Sequence, residues 1–306
     1  MAAQVVATIV VAYFVVKTLV AQWRQVSGHS LDLHPDWPVI TASAFVVLAA
    51  YAVLIEAWRR ILTSWDTSLA FWPAARIMSV SRLGHYVPGR VWQITAMIEM
   101  ARRANVKPGA AAASAILNTI VNIAMGFLVA LVAGWKSFST ISEGRTGLGV
   151  ALLVCVLGAV LLLPAALPFI LDAARKVLRK DVPEMTLPHR AVYVTIAANI
   201  AAWLLYGAAF ELFVRGMTGS APGAYADYVT AFAWPYLVGY LALIAPGGVG
   251  FREGALALTL GALHLAAPAT ALAIAVSSRL WLSVLEVVPG LLFWLFMRGR
   301  SRPTTT

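Results

Sequence analysis

Residues 73–101, PAARIMSVSRLGHYVPGRVWQITAMIEMA, form an apolar stretch that Pro88-Gly89 interrupts near its middle. Each half has about 12–15 residues, so as a helix it is about 18–22 Å long at 1.5 Å per residue. The hydrocarbon core of a bilayer is about 30 Å thick, so neither half can cross it alone. Because proline removes a backbone donor and glycine loosens the chain, we predict a turn or an unwound segment at this break.

The composition indicates that this chain is surrounded mainly by lipid. Of its 306 residues, 61% are hydrophobic and 12% are charged, whereas soluble domains carry about 25% charged residues. A lipid-exposed backbone has to satisfy its own hydrogen bonds, so helices are expected. We therefore predict an all-α, polytopic transmembrane helical bundle that forms a single integral membrane domain over residues 1–306. The apolar runs of spanning length are 3–21, 38–58, 109–133, 147–171, 190–213 and 268–297.

The basic residues of the loops predict the topology. Arg59 and Arg60 precede the first broken region, and Arg102 and Arg103 follow it. Because positively charged loops stay on the cytoplasmic side, region 73–101 is predicted to enter and leave on that side as a re-entrant hairpin. The alternative is a single kinked span or two full spans.

A second apolar region, residues 227–266, is interrupted by Pro246-Gly247-Gly248. It has to be re-entrant from the outside if the basic tail ends inside. The prediction is then six spans, two re-entrant hairpins and both termini cytoplasmic, in the cytoplasmic membrane. Here the alternative of two full spans is a close rival, because the two pieces are nearly long enough to cross.

The two hairpins also predict an internal symmetry. Residues 38–134 contain a span, a hairpin and a span, and residues 190–297 repeat this order from the opposite face. Inverted repeats with interrupted helices are typical of transporters, whose sites lie near the midplane where the breaks meet. We therefore expect the site among the polar residues beside the two breaks.

Four charged residues lie in or beside the second hairpin and the last span. Arg279 and Glu286 are seven residues apart, so they share a helix face. Arg252 and Glu253 follow the second break directly. Since buried charges need partners, we predict that Arg279 pairs with Glu253 and that Glu286 pairs with Arg252. These pairs could form a structural clamp, or an arginine could bind a phosphate through its bidentate geometry.

The first break carries a second candidate anion site. Arg90 lies in the first turn of the half-helix after the break, where the helix dipole and the free N–H groups favour an anion. Asn118 and Asn122 share one face of the third span, where they could line the cavity or bond between helices. The predicted substrate-binding residues are Tyr86, Pro88, Gly89, Arg90, Trp92, Asn118, Asn122, Pro246, Gly247, Gly248, Arg252, Glu253, Arg279 and Glu286.

Other sites and partners are less consistent with the sequence. The net charge of +10 comes from loop Lys and Arg residues, which report topology and contact with anionic headgroups rather than nucleic acid. Asp32, His34 and Asp36 could ligate a metal, but they more simply form a solvated loop. We predict no metal and no cofactor. Cys155 is the only cysteine, so no intramolecular disulfide forms.

Three motifs resemble those of one membrane-protein family. Residues 84–92, GHYVPGRVW, and residues 245–254, APGGVGFREG, together with Arg279, Glu286 and Pro289-Gly290, are similar to the membrane region of lysylphosphatidylglycerol synthase/flippase proteins. The resemblance covers nearly the whole chain. It implies translocation of a lipid, which in the best-known members is an aminoacylated phospholipid made by a separate soluble domain. That domain has no counterpart here, so a stand-alone flippase-like protein is expected, and stand-alone relatives have been linked to polyprenyl-linked sugars and hopanoid-associated lipids.

Three functions remain open from the sequence. A non-enzymatic flippase would hold a phospholipid or polyprenyl-linked headgroup in a midplane cavity, with no P-loop to use a nucleotide. A membrane enzyme acting on polyprenyl-linked sugars could use Asp32 and Asp36 in the first external loop. A regulatory subunit would associate with a lipid-synthesising enzyme and use the deep arginines only as clamps.

Overall fold

The computed structural model describes residues 34–65, 67–86, 91–135, 189–241 and 250–296, with the isolated positions 158, 162 and 169. Within these residues all regular structure is helical, so the all-α prediction is confirmed there. The helices are α1 (Trp37–Thr63), α2 (Phe71–Arg82), a short 3₁₀ helix (Leu83–Tyr86), α3 (Val91–Arg103), α4 (Pro108–Ala133), α5 (His189–Thr218), α6 (Tyr225–Leu241), α7 (Phe251–Ala262) and α8 (Pro268–Phe296).

Four of these helices are long and apolar enough to cross a membrane. The spanning segments are Trp37–Thr63, Gly109–Ala133, Arg190–Thr218 and Pro268–Leu295, and they confirm four of the six predicted spans. At 1.5 Å per residue, helices of 26 to 30 residues are about 39–45 Å long, more than the hydrocarbon core requires. The predicted spans 3–21 and 147–171 lie outside the described residues, apart from the three isolated helical positions.

The start of α1 explains one of the candidate metal ligands. Asp36 caps the helix, and its Oδ1 accepts a hydrogen bond from the backbone N–H of Val39 at 3.3 Å. Its own N–H donates to the carbonyl of Gly216 at 2.7 Å, which ties α1 to the end of α5. Asp36 therefore has a structural role, and no group of three potential metal ligands occurs in the described part of the chain. Asp32 lies outside the described residues.

The helices beside the two predicted breaks are short. Helices α2, α3 and α7 have 12, 13 and 12 residues, so each is only about 18–20 Å long. Helix α6 has 17 residues and contains Pro235. Within the first pair α2 packs against α3, and within the second α6 packs against α7.

The packing of the two predicted units is reciprocal. Helix α1 packs along α5, its counterpart in the second unit. Helix α2 packs on α8, and its counterpart α6 packs on α4. A close approach of α5 to α6 depends on Gly207, where a Cβ would overlap the side chain of Val229. One hydrophobic core runs through both units and includes the fully buried Trp58, Trp203 and Phe210.

Candidate functional site

A cavity of about 260 Å³ lies where the described helices meet. Each of the eight α-helices of the described residues contributes at least one residue to its wall, so the cavity lies among the helices of the bundle. Its volume is slightly below the range of about 300–1,000 Å³ that is usual for small-molecule sites. The polar and aromatic residues that line it include Tyr51, Arg82, Gln93, Asn118, Asn122, Trp203, Tyr206, Tyr236, Tyr240, Arg252, Arg279 and Glu286.

Three arginines from three different helices reach this cavity. Arg82 ends α2, Arg252 lies in the first turn of α7, and Arg279 lies within α8. The guanidinium carbon of Arg82 lies 4.1 Å from the ring centroid of Tyr51. Burying three like charges near one another is costly in lipid, so such residues are usually functional.

The guanidinium of Arg252 lies over two aromatic rings of α6. Its central carbon is 5.5 Å from the ring centroid of Phe232 and 5.0 Å from that of Tyr236, within the range of a cation–π contact. The backbone of α6 can come this close because residue 239 is glycine. A Cβ on Gly239 would lie 2.9 Å from the Cβ of Arg252. These contacts fix Arg252 while its charge faces the cavity.

Glu253 joins the start of α7 to the middle of α8. Its Oε2 accepts a hydrogen bond from the N–H of Gly250 at 2.6 Å, and its Oε1 lies 3.6 Å from Nε of Arg279. The side chains of Glu253 and Arg279 are only 5% and 10% exposed. The predicted Arg279–Glu253 pair is therefore confirmed, and it orients Arg279 within the cavity wall.

Glu286 connects α8 to the segment that follows α2. The hydroxyl of Tyr86, at the end of the 3₁₀ helix that follows α2, donates to its Oε2 at 3.1 Å. Its carboxylate also attracts Arg82 and Arg252 electrostatically. The predicted Glu286–Arg252 ion pair stays a prediction, with the aromatic rings of α6 in contact with Arg252 and Tyr86 in contact with Glu286.

The two asparagines of α4 differ in the roles that the sequence left open. The amide of Asn122 donates to Oδ1 of Asn199 in α5 at 2.9 Å, and its backbone carbonyl accepts from Nε1 of Trp203 at 3.0 Å. Asn118, one turn earlier, has a buried Oδ1 that receives no hydrogen bond from the described residues. Both side chains also line the cavity.

The remaining predicted residues divide into two groups. Trp92 is 57% exposed and is not among the residues that line the cavity. Tyr86 is not among them either, but its hydroxyl donates to Glu286, which does line the cavity. Outside the described residues lie Pro88, Gly89, Arg90, Pro246, Gly247 and Gly248.

Sequence reasoning did not include Arg82 or the aromatic wall among the site residues. Arg82 lies six residues before Pro88, so its position beside a break was a usable signal. The aromatic residues Tyr51, Trp203, Tyr206 and Tyr236 gave no such signal, because tyrosine and tryptophan are common in helices that pack in membranes.

A family model described as the lysylphosphatidylglycerol synthase TM region matches residues 1–290. The chain therefore belongs to this family, and the resemblance read from its motifs is confirmed. Its membership and its four long apolar helices make it an integral membrane protein, related to proteins of lipid modification or flipping. A comparison with curated proteins gave no match.

Proposed function

We propose that this protein is a flippase-like carrier that binds the phosphate-bearing headgroup of a membrane lipid in the central cavity and translocates it across the bilayer. The observation that carries the proposal is the convergence of Arg82, Arg252 and Arg279 on one cavity inside the bundle. Arginine binds phosphate oxygens through two parallel hydrogen bonds.

The electrostatics of the cavity favour an anion. Three arginines line the wall, whereas Glu286 is the acidic residue that lines it and Glu253 lies behind Arg279. With three arginines and two carboxylates, the described site has a formal charge of about +1. Electrostatic interactions in a buried site are much stronger than in water. A phosphodiester would offset that charge, while the acyl chains would remain in the surrounding lipid.

The packing of the two units supports a carrier rather than a static binding site. The short helices beside each break and the reciprocal contacts between units fit two re-entrant hairpins in an inverted repeat, with the cavity between them. With the basic loops inside, both termini would be cytoplasmic. The energy would come from an ion gradient or the membrane potential, or movement would be passive.

An assay in liposomes tests this proposal. Purified protein would be reconstituted with fluorescent phospholipids or a fluorescent polyprenyl phosphate, and the fraction in the outer leaflet would be followed by chemical quenching. The variant Arg252→Ala removes one cavity cation, and Arg103→Ala is the matched control, because Arg103 is exposed on α3 and pairs with Glu99 at 2.8 Å.

We expect wild type and Arg103→Ala to move one lipid class and Arg252→Ala to move it at least ten-fold more slowly. Equal rates for Arg252→Ala and wild type would refute the proposed site. If wild type moves no lipid with or without an imposed gradient, the flippase function itself is refuted.

The structure supports the flippase proposal over the enzyme alternative at one of that alternative's two carboxylates. Oδ1 of Asp36 accepts a hydrogen bond from the backbone N–H of Val39 as the cap of α1, which gives this carboxylate a structural role. Transport by the double variant Asp32→Ala and Asp36→Ala at the wild-type rate would exclude a role for these residues in the reaction.

A further inference from the structure

The wall of the cavity formed by α3 and α4 differs chemically from the arginine wall. It contains the side-chain amides of Gln93, Asn118 and Asn122, which carry no charge. We propose that Asn118 and Asn122 form a headgroup-selecting subsite for an uncharged, hydroxyl-bearing headgroup, such as a glycerol, an inositol or a sugar, on a lipid phosphate. This inference rests on the proposed function and names the substrate class.

The orientation of the Asn122 amide follows from a chain of hydrogen bonds. The backbone carbonyl of Thr195 can only accept, and it accepts from Nδ2 of Asn199 at 2.8 Å. Oδ1 of Asn199 is therefore the acceptor for Asn122, whose Nδ2 donates at 2.9 Å. The carbonyl oxygen of Asn122 is left as an acceptor on a side chain that lines the cavity. The backbone of α5 thus determines which end of this amide a ligand meets.

Asn118 supplies a second acceptor on the same face of α4. It lies four residues before Asn122, so the two side chains are neighbours on the helix surface. Its Oδ1 is buried and receives no hydrogen bond within the described part of the chain. An unsatisfied buried acceptor destabilises the empty state. Because the Asn118 side chain lines the cavity, a rotation of its amide would bring this oxygen to a ligand, and a ligand that donates to it would remove that cost. Two adjacent carbonyl acceptors fit a headgroup with two or more donor groups.

The charge of the cavity distinguishes hydroxyl donors from ammonium donors. An amide oxygen accepts from both kinds of donor, but Arg82, Arg252 and Arg279 repel an ammonium group in a medium of low dielectric constant. Glu286 is the carboxylate in the wall, and the three arginines outnumber it. A trimethylammonium headgroup offers no donor at all. The favoured ligand therefore places its phosphate against the arginines and its hydroxyl groups against the amides.

Calorimetric titration in detergent can measure this preference. The probes are short-chain phosphatidylglycerol, phosphatidylinositol, phosphatidic acid, phosphatidylethanolamine and phosphatidylcholine, with free glycerol phosphate as a soluble competitor. The test variant is Asn118→Leu, which keeps the shape of the side chain and breaks no hydrogen bond of the described protein. The control is Thr259→Val in α7, because the Thr259 hydroxyl bonds its own helix at Ala255 and is not among the cavity-lining residues.

We expect wild type to bind the two hydroxylated lipids most tightly and phosphatidylcholine most weakly. Asn118→Leu should weaken the binding of phosphatidylglycerol about five- to ten-fold, as the loss of one hydrogen bond implies. The affinity for phosphatidic acid should not change. Asn118→Asp, which keeps an acceptor and adds a negative charge, should move the preference toward phosphatidylethanolamine. Thr259→Val should behave as wild type.

Two results would overturn the inference and spare the proposed function. One is an equal loss of affinity for all five lipids in Asn118→Leu. The other is that wild type binds phosphatidylethanolamine or phosphatidylcholine more tightly than the two hydroxylated lipids. Competition by free glycerol phosphate as strong as that of the lipid would assign the subsite to a soluble phosphate ester and refute a lipid ligand. The absence of binding by any lipid would refute both the inference and the proposed function.

Discussion

The Arg279–Glu253 pair allows a quantitative test of how this site is held together. The change is Glu253→Gln, which removes the charge but keeps a side-chain oxygen that can accept from the N–H of Gly250, as Glu253 does at 2.6 Å. The start of α7 therefore keeps its hydrogen bond. What is lost is the attraction between Oε1 and Nε of Arg279 across 3.6 Å.

The distance sets the size of the effect. Two unit charges 3.6 Å apart attract by about 5 kcal/mol at an effective dielectric constant near 20. Breaking a buried pair by removing one partner costs about 3–5 kcal/mol, because the other charge stays buried. Arg279 has further interactions, so we expect the lower value, about 3 kcal/mol of unfolding free energy.

The assay is a double-mutant cycle with Glu253→Gln, Arg279→Gln and the double variant. Unfolding in mixed micelles would be followed by the fluorescence of the chain's 11 tryptophans. The double variant leaves two neutral amides, so it should be more stable than the sum of the single effects by about 2 kcal/mol. Glu99→Gln is the control, because Glu99 pairs with Arg102 at 2.9 Å on an exposed surface, and its unfolding midpoint should not change.

The cycle can refute the reasoning directly. A coupling free energy below about 0.5 kcal/mol would mean that the two charges act independently. Glu253 would then serve only as the cap of α7, and the orientation of Arg279 would need another explanation.

Three further predictions concern stability. Trp58→Phe should lower the unfolding free energy by about 1 kcal/mol, measured in the same micelles, because it removes the bond from Nε1 to Oγ of Ser114 at 2.9 Å. Gly207→Ala should lower the free energy of unfolding by about 1–3 kcal/mol, because its Cβ would overlap Val229 and lie 2.9 Å from the Cα of that residue. Gly261→Ala is the control. A Cβ at Gly261 would have nothing within 4 Å, so the melting temperature should stay unchanged or rise. Asp36→Ala should cost about 1 kcal/mol through loss of the α1 cap, and an unchanged melting temperature would contradict that role.

The sequence predicted the long helices well because their signal is simple. A run of about 20 apolar residues is a strong constraint in lipid, and the four described spans appear where the runs are. The Arg279–Glu253 pair was also predictable, because buried charges require partners and few candidates lie nearby in the chain. The first inference depends on one segment alone, and the second on two helices that are adjacent in the chain.

The position of Arg252 was not predictable, because it depends on the orientation of another helix. Its neighbours Phe232 and Tyr236 lie on α6. They contact Arg252 only because α6 is oriented about its own axis so that this face meets α7. Helix α6 is apolar nearly all round, so hydropathy does not indicate which face meets the protein and which meets lipid. For the same reason the aromatic residues of the cavity wall were not predicted, because the spacing of tyrosine and tryptophan does not indicate which face of each helix meets the cavity.

The origin of the cavity residues explains why reciprocal packing can produce a directional site. The first unit supplies Arg82 and the amides of Gln93 and Asn118, while the second supplies Arg252 and Arg279. The two units pack symmetrically, yet their contributions differ chemically, since Gln93, Asn118 and Asn122, the described side-chain amides that line the cavity, all come from the first. A movement of one unit against the other would therefore change the distance between the amides and two of the arginines, and with it the fit of a headgroup that touches both. A ligand that binds better in one arrangement would shift the population toward that arrangement, so headgroup selection and translocation would depend on the same contacts.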